Sequence, residues 1–159
     1  MGKVAAAVFV REGARVAIVD VNMDACEKAV AAAKKAGDGD CFAVACDVTK
    51  EAQVRDAIAA TTKRFGRLDV LYNNAGIMMS EDHSVTDTDE WVWDKTLAVN
   101  LKGIYFCCKY AIPRMIEGRG CSCGMSMRSW AASWPCFAAI SSTNASTSVR
   151  LPRNRGAIS

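Results

Sequence analysis

The sequence predicts an α/β fold built on a doubly wound parallel sheet, and three observations carry that prediction. Short apolar runs alternate with amphipathic segments that have helix caps and stops. The connections between them are short, as right-handed β–α–β crossovers require. Each run also leaves through polar or small residues: Asp20, then Asp47, then Asn73-Asn74-Ala75-Gly76. In open α/β sheets, ligands gather at that carboxyl edge.

Residues 3–12 place Val4, Ala5, Val8 and Phe9 on one helical face, with Gly13 following as a C-cap. Arg15-Val16-Ala17-Ile18-Val19-Asp20 reads as a buried strand ending on an acid. Asn22 can cap the next helix, which has acids in its first turns, lysines in its last turn and Gly37 as a stop. Residues 41–46 form a second strand that exits through Asp47-Val48. Thr49 is then the expected N-cap of a helix through Val54, Ile58 and Phe65 to Gly66. Residues 68–72 form the third buried strand, which ends in Asn-Asn-Ala-Gly, where small residues let the backbone approach a ligand closely.

Caps and first-turn acids at 86–90 predict a long helix with Trp91, Leu97, Leu101, Ile104, Tyr105, Cys108 and Ile112 as its apolar positions. It should end between Pro113 and Gly118. From Arg119 onward the sequence has nine serines and scattered arginines without a sustained period of 2 or 3.6. Residues 1–118 are thus expected to fold as one unit and 119–159 to be a poorly ordered tail in which no further buried strand is legible.

The charge distribution follows the same division. The formal +3 combines 15 Lys and Arg against 17 Asp and Glu up to Gly118 with five Arg and no acid after it. Five scattered arginines without a patterned helix do not predict nucleic-acid binding. No apolar run approaches the roughly 20 residues of a membrane span. With no secretory pattern at the N-terminus, a cytoplasmic location is expected. The eight cysteines include the neighbours Cys107-Cys108 and the apolar-position residues Cys26, Cys41 and Cys46, a pattern of buried thiols rather than a disulfide framework. Cys121, Cys123 and Cys136 lie far from His83 in a spacing unlike known zinc sites, so no metal is expected.

Several motifs in register resemble the short-chain dehydrogenase/reductase family, whose members are NAD(P)-dependent oxidoreductases with a Rossmann-like fold. Asn73-Asn74-Ala75-Gly76 is similar to the family's NNAG, Asp47-Val48 to the acid after its third strand, and Leu97-Ala98-Val99-Asn100-Leu101-Lys102-Gly103 to the segment holding its active-site Asn. The resemblance spans residues 2–118. It implies that Asp20 accepts hydrogen bonds from the adenosine ribose and repels a 2′-phosphate, favouring NAD over NADP. It further implies that Asp47 and Val48 flank the adenine, and that Asn73, Ala75 and Gly76 line the ribose side. Asn100 would hold a water in the proton relay, and the 91–113 helix would be a surface through which relatives form homo-oligomers. The substrate of an intact parent would be a small secondary alcohol or ketone.

Against the same family pattern, Gly2 matches only the last glycine of the TGxxxGxG phosphate turn, so the family's first strand is expected to be missing. Its loss would leave buried backbone groups without partners on the third strand, each costing about 1–3 kcal/mol. Where relatives carry a catalytic Ser, Arg128 stands between Ser126 and Ser129, and beyond Tyr110 there is no Tyr or Lys to supply YxxxK. Tyr105 and Lys109 fit that spacing, but on the same helix as Asn100, where Tyr105 is expected to pack. The expectation is a catalytically inactive chain, with a non-catalytic dinucleotide-binding or dimerisation remnant as the alternative. The change in composition after Gly120 reads as a shifted reading frame or misplaced exon.

Overall fold

The computed structural model describes residues 2–118 and, through their backbone, the strands at 122–125 and 137–141. Helix α1 (Gly2–Arg11) leads into β1 (Arg15–Asp20), α2 (Met23–Lys34), β2 (Cys41–Ala45), α3 (Glu51–Phe65) and β3 (Val70–Asn73). A long helix follows in three parts: α4 (Glu90–Leu97), a π-helical segment (Ala98–Gly103) and α5 (Ile104–Glu117). Strands β4 (Ser122–Met125) and β5 (Phe137–Ser141) come last.

Strand β1 explains why its sequence is apolar without alternation. Val16 and Ile18 pack on one face with Ala6 and Val10 of α1 and with Ala29 of α2. Ala17 and Val19 pack on the other with Ile58 of α3 and Met115 of α5. With helices on both sides, Val16 to Val19 are all withdrawn from water and favour apolar residues. Helix stops fall where glycine can adopt a positive φ: Gly13 at 82° after α1 and Gly66 at 81° after α3. At the other end of α2, the Asn22 side chain accepts the Ala25 N–H, as its capping role requires.

The strand order is β2-β1-β5-β3-β4. Strands β1 and β2 are parallel, as are β3 and β4, whereas β5 runs antiparallel to both of its neighbours. The gap anticipated between β1 and β3 is therefore closed from the tail: Ala139 pairs with Ala17 on one side and Leu71 on the other. No strand after Arg119 was legible in the sequence, and the structure places two there. The physical reason is the demand of two flanking strands for backbone partners, which a run as short and small as Phe-Ala-Ala-Ile-Ser meets without any periodicity of its own. The remainder of 119–159, with Cys121, Arg128 and Cys136, lies outside the described residues.

Three details of the helices differ from the sequence reading, the first being that α1 buries Ala6 and Val10 and leaves Val4 and Val8 exposed. Lys50, not Thr49, is the N-cap of α3 and makes no side-chain cap bond. Thr49 turns back instead, its N–H and hydroxyl both donating to Asp47 Oδ1 at 2.9 and 2.7 Å. In the long helix the buried residues are Val92, Gly103, Phe106, Cys107, Ala111 and Met115. Trp91, Leu101, Tyr105 and Ile112 face solvent. The helix carries apolar residues on more than one face, and the wider turn at 98–103 shifts the register that a uniform 3.6 period assumes.

Among the described residues no helix is long and apolar enough to cross a membrane, and no group of His, Cys, Asp or Glu is placed to hold a metal ion. Cys26, Cys41 and Cys46 are free thiols.

Candidate functional site

At the carboxyl ends of β1, β2 and β3 the chain forms an open cavity of about 800 Å³. Asp20, Asp47, Val48 and Ala75 line it, so three of the strand exits singled out in the sequence converge on one space. The long helix supplies the facing wall through Lys95, Ala98 and Val99. Its surface is mainly apolar with a few polar groups at fixed points, the character of a small-molecule site.

Asp20 is 8% exposed at the end of β1. Its Oδ1 accepts the Asn22 N–H at 2.8 Å, which fixes the carboxylate at the start of the turn. Burial pushes its pKa above the ordinary carboxylate value, against the pull of the Asn22 and Val21 amides and the charge of Lys3. Asp47 is held by its own turn: its Oδ1 accepts both Thr49 bonds, and its N–H donates to Gln53 Oε1 at 2.8 Å. Val48 is nearly buried and packs against Gly103, where a Cβ would lie 2.8 Å from Val48 Cγ2. Gly103 is thus the residue that lets the long helix close on the β2–α3 turn.

Asn100 lies in the π-helical segment and spends both ends of its amide on one residue. Its Oδ1 accepts the Ile77 N–H and its Nδ2 donates to the Ile77 carbonyl, each at 2.8 Å. This clamps the loop after Asn73-Asn74-Ala75-Gly76 to the helix. Gly76 lies against the same amide, since a Cβ there would sit 3.4 Å from Asn100 Oδ1. Asn73 is buried, and its Nδ2 donates to Cys108 Sγ of α5 at 3.7 Å, so its side chain ties β3 to the helix. Gly2 is buried at the start of α1 and is not among the residues lining the cavity.

The structure therefore gathers Asp20, Asp47, Val48 and Ala75 around the cavity, with Asn73, Gly76 and Asn100 behind it as supports. Sequence reasoning missed Asn22, Ile77, Lys95 and Val99. Asn22 and Ile77 lie two residues beyond Asp20 and one beyond Gly76, positions that strand exits share. Nothing local could place Lys95, which reaches the cavity only because the helix folds back over it. Of the Tyr105–Lys109 pair, Tyr105 is 57% exposed, and Lys109 Nζ donates to Glu51 Oε1 at 2.7 Å.

The family model described as enoyl-(acyl carrier protein) reductase matches residues 1–148. The chain is 38% identical over 118 residues to (+)-cis,trans-nepetalactol synthase NEPS1 of Nepeta racemosa, an alignment covering 74% of this chain and 42% of that protein. It is 38% identical over 124 residues to D-threitol dehydrogenase of Mycolicibacterium smegmatis, covering 76% of this chain and 45% of the relative. The structure superposes on NAD⁺-bound xylitol dehydrogenase with a TM-score of 0.74 at 28% identity, over 78% of this chain and 47% of that one. The chain thus spans less than half the length of these three proteins.

Proposed function

This chain belongs to the short-chain dehydrogenase/reductase family, and on that footing we propose that residues 1–118 bind the adenosine half of a nicotinamide dinucleotide, with NAD preferred to NADP. The observation that carries this reading is the convergence of Asp20, Asp47, Val48 and Ala75 on one cavity at the carboxyl edge of the sheet. The fit is chemical as well as spatial. Apolar Val48, Ala75 and Val99 suit an adenine face, and a fixed carboxylate at Asp20 suits vicinal ribose hydroxyls while disfavouring a 2′-phosphate.

When bound, the dinucleotide supplies the hydride acceptor or donor, and an intact parent would exchange that hydride with a secondary alcohol or ketone. This chain's own residues hold the cofactor and shape its loop: Asp20 at the ribose, Asp47 and Val48 beside the adenine, and Asn100 fixing the backbone after Gly76. No Tyr or Lys follows Tyr110 in the sequence, and Lys109 is engaged by Glu51. Residues 1–159 therefore hold nucleotide without turnover.

Calorimetric titration with NADH and NADPH, paired with a turnover assay on an alcohol panel, tests the reading. Saturable NADH binding, weaker NADPH binding and no turnover are expected. Turnover that Tyr105→Phe abolishes would reinstate the Tyr105–Lys109 pair as catalytic and overturn the inactive reading.

A second reading, pairing with another copy through the long helix, is favoured by one specific feature. Leu101, Tyr105, Ile112 and Ile116 are all at least 43% exposed and recur at helical spacing. A shallow cavity of about 410 Å³ lies beside them, lined by Leu97, Leu101 and Tyr105. Sedimentation of the wild type and of Leu101→Asp separates the cases: a dimer that the substitution dissolves supports pairing, and a monomeric wild type removes it.

A further inference from the structure

Outside the cavity lining, a bridge of side chains that no part of the proposed chemistry uses joins the two elements that carry its walls. One wall is the irregular turn at 46–50, and the other is the face of the long helix that carries Lys95, Ala98 and Val99. The turn is tied to β1 by the Cys46 N–H, which donates to the Asp20 carbonyl at 2.9 Å. It touches the helix at Val48, which rests on Gly103. Immediately after the turn, Glu51 opens α3, and its Oε1 accepts two bonds from α5: Lys109 Nζ at 2.7 Å and Tyr110 Oη at 2.7 Å. These bonds hold the carboxyl of Glu51 below its usual range and push Lys109 and Tyr110 up. Lys109 Nζ also lies 5.5 Å from the Tyr110 ring centroid and 5.9 Å from that of Tyr105, so its position is set from several sides.

We propose that Glu51, Lys109 and Tyr110 form a clasp that sets the separation of the two cavity walls, making Glu51 a positioning residue for the adenine end of the nucleotide. The proposal rests on the nucleotide reading given above. Helices α3 and α5 already pack together through Val54, Ile58, Phe106 and Ala111, and Val48–Gly103 adds a contact from the turn that precedes α3. The clasp fixes the first turn of α3, directly after the 46–50 turn, to α5. The Lys109 bond is exposed and the Tyr110 bond half-buried, so their contribution to global stability is small. Their effect falls on geometry, where a displacement of the Asp47–Val48 wall changes how closely it meets a flat ring.

The test is AMP binding by calorimetry together with amide hydrogen exchange at Thr49, whose N–H bond to Asp47 Oδ1 reports on the turn. Glu51→Ala should weaken AMP roughly 3- to 10-fold and speed Thr49 exchange while leaving the melting temperature within about a degree of wild type. Glu51→Gln, whose Oε1 still accepts from Tyr110 and Lys109, should recover most of the affinity. Tyr110→Phe should show an intermediate loss. Unchanged AMP affinity in Glu51→Ala, or a loss that Gln does not restore, overturns the clasp. If the wild type binds no AMP, the nucleotide reading falls and the positioning role with it. Thr49 exchange then still decides whether Glu51 holds the turn.

Discussion

The two ends of the sheet are built from similar residues and serve different purposes. At the amino end, charges are consumed by partners. Arg64 forks onto Asp40 and stacks on Phe42 at 4.7 Å, Arg15 lies over Phe65 at 5.3 Å, and Arg67 pairs with Asp69. At the carboxyl end the acids are held by the amides and hydroxyls of their own turns, and a cavity remains between them. An arginine–carboxylate fork neutralises both groups and closes the space. A carboxylate fixed by backbone N–H groups keeps its remaining acceptor capacity for something outside the chain. The difference separates an end that joins the domain together from an end that can receive a ligand.

The contrast breaks most readily at the central slot, on which both ends depend. Ala139→Pro removes the N–H of a strand that pairs with β1 and β3, and should cost about 3 kcal/mol or more. A urea titration checks this; an unchanged midpoint would mean that β5 does not hold the slot. Against a typical stability of about 5–15 kcal/mol the loss is large.

Next in size is Asp20→Asn, which should weaken NAD binding about 10- to 100-fold, the worth of charge-assisted bonds to the ribose. It should also remove discrimination against NADP. Stability should not fall with it. Because burial raises the folded-state pKa of Asp20, the folded protein binds that proton more tightly than the unfolded chain does. Asp20 therefore adds stability as pH falls through its raised pKa and takes it away above that point. At neutral pH the neutral amide should leave the melting temperature equal or slightly higher. By the same sign, NAD affinity of the wild type should decline on acidification through that raised pKa, and the decline should be absent in Asp20→Asn.

Gly103→Ala sharpens the comparison at the hinge of the cavity. A Cβ 2.8 Å from Val48 Cγ2 must push the turn from the helix, and an overpacking cost of about 1–3 kcal/mol is expected along with weaker AMP binding. Arg67→Ala at the opposite end should cost only ~1 kcal/mol, with nucleotide affinity unchanged. Thermal melts and calorimetry on the two variants together check that separation. The smallest effect concerns the thiols. Burial pushes Cys26 and Cys46 up to about 11, so neither should react with iodoacetamide at pH 7.5 in the folded protein. Rapid alkylation of Cys46, read by peptide mass, would show that its thiol is not held buried beside the cavity.

Most of residues 2–118 was legible because their signals are local. Asn22 caps, Gly13 and Gly66 stop helices, and β1 is apolar because both of its faces are covered. Asp20 and Asp47 could be picked out as strand exits for the same reason. Thr49 was misread because an Asp two residues earlier competes for its hydroxyl, a contest between two local bonds that composition does not decide. The buried face of the long helix was misread because Leu101 and Tyr105 are as apolar as Phe106 and Cys107. Which side turns inward depends on the π-helical segment and on Val48 meeting Gly103. Strand β5 was illegible because its pairing is dictated by β1 and β3, far off in sequence. Lys95 and Val99 were missed for the same kind of reason, since a residue on a helix joins a strand-edge site only through the tertiary fold.

The proposed occupant of the carboxyl-end cavity is the adenosine half of NAD. Calorimetric titration of the 159-residue chain with AMP, repeated with Asp20→Asn, tests it most directly. The account predicts saturable binding that the substitution weakens at least about 10-fold without lowering the melting temperature. Heats that stay at the level of dilution for the wild type, or binding that Asp20→Asn leaves unchanged, would contradict it.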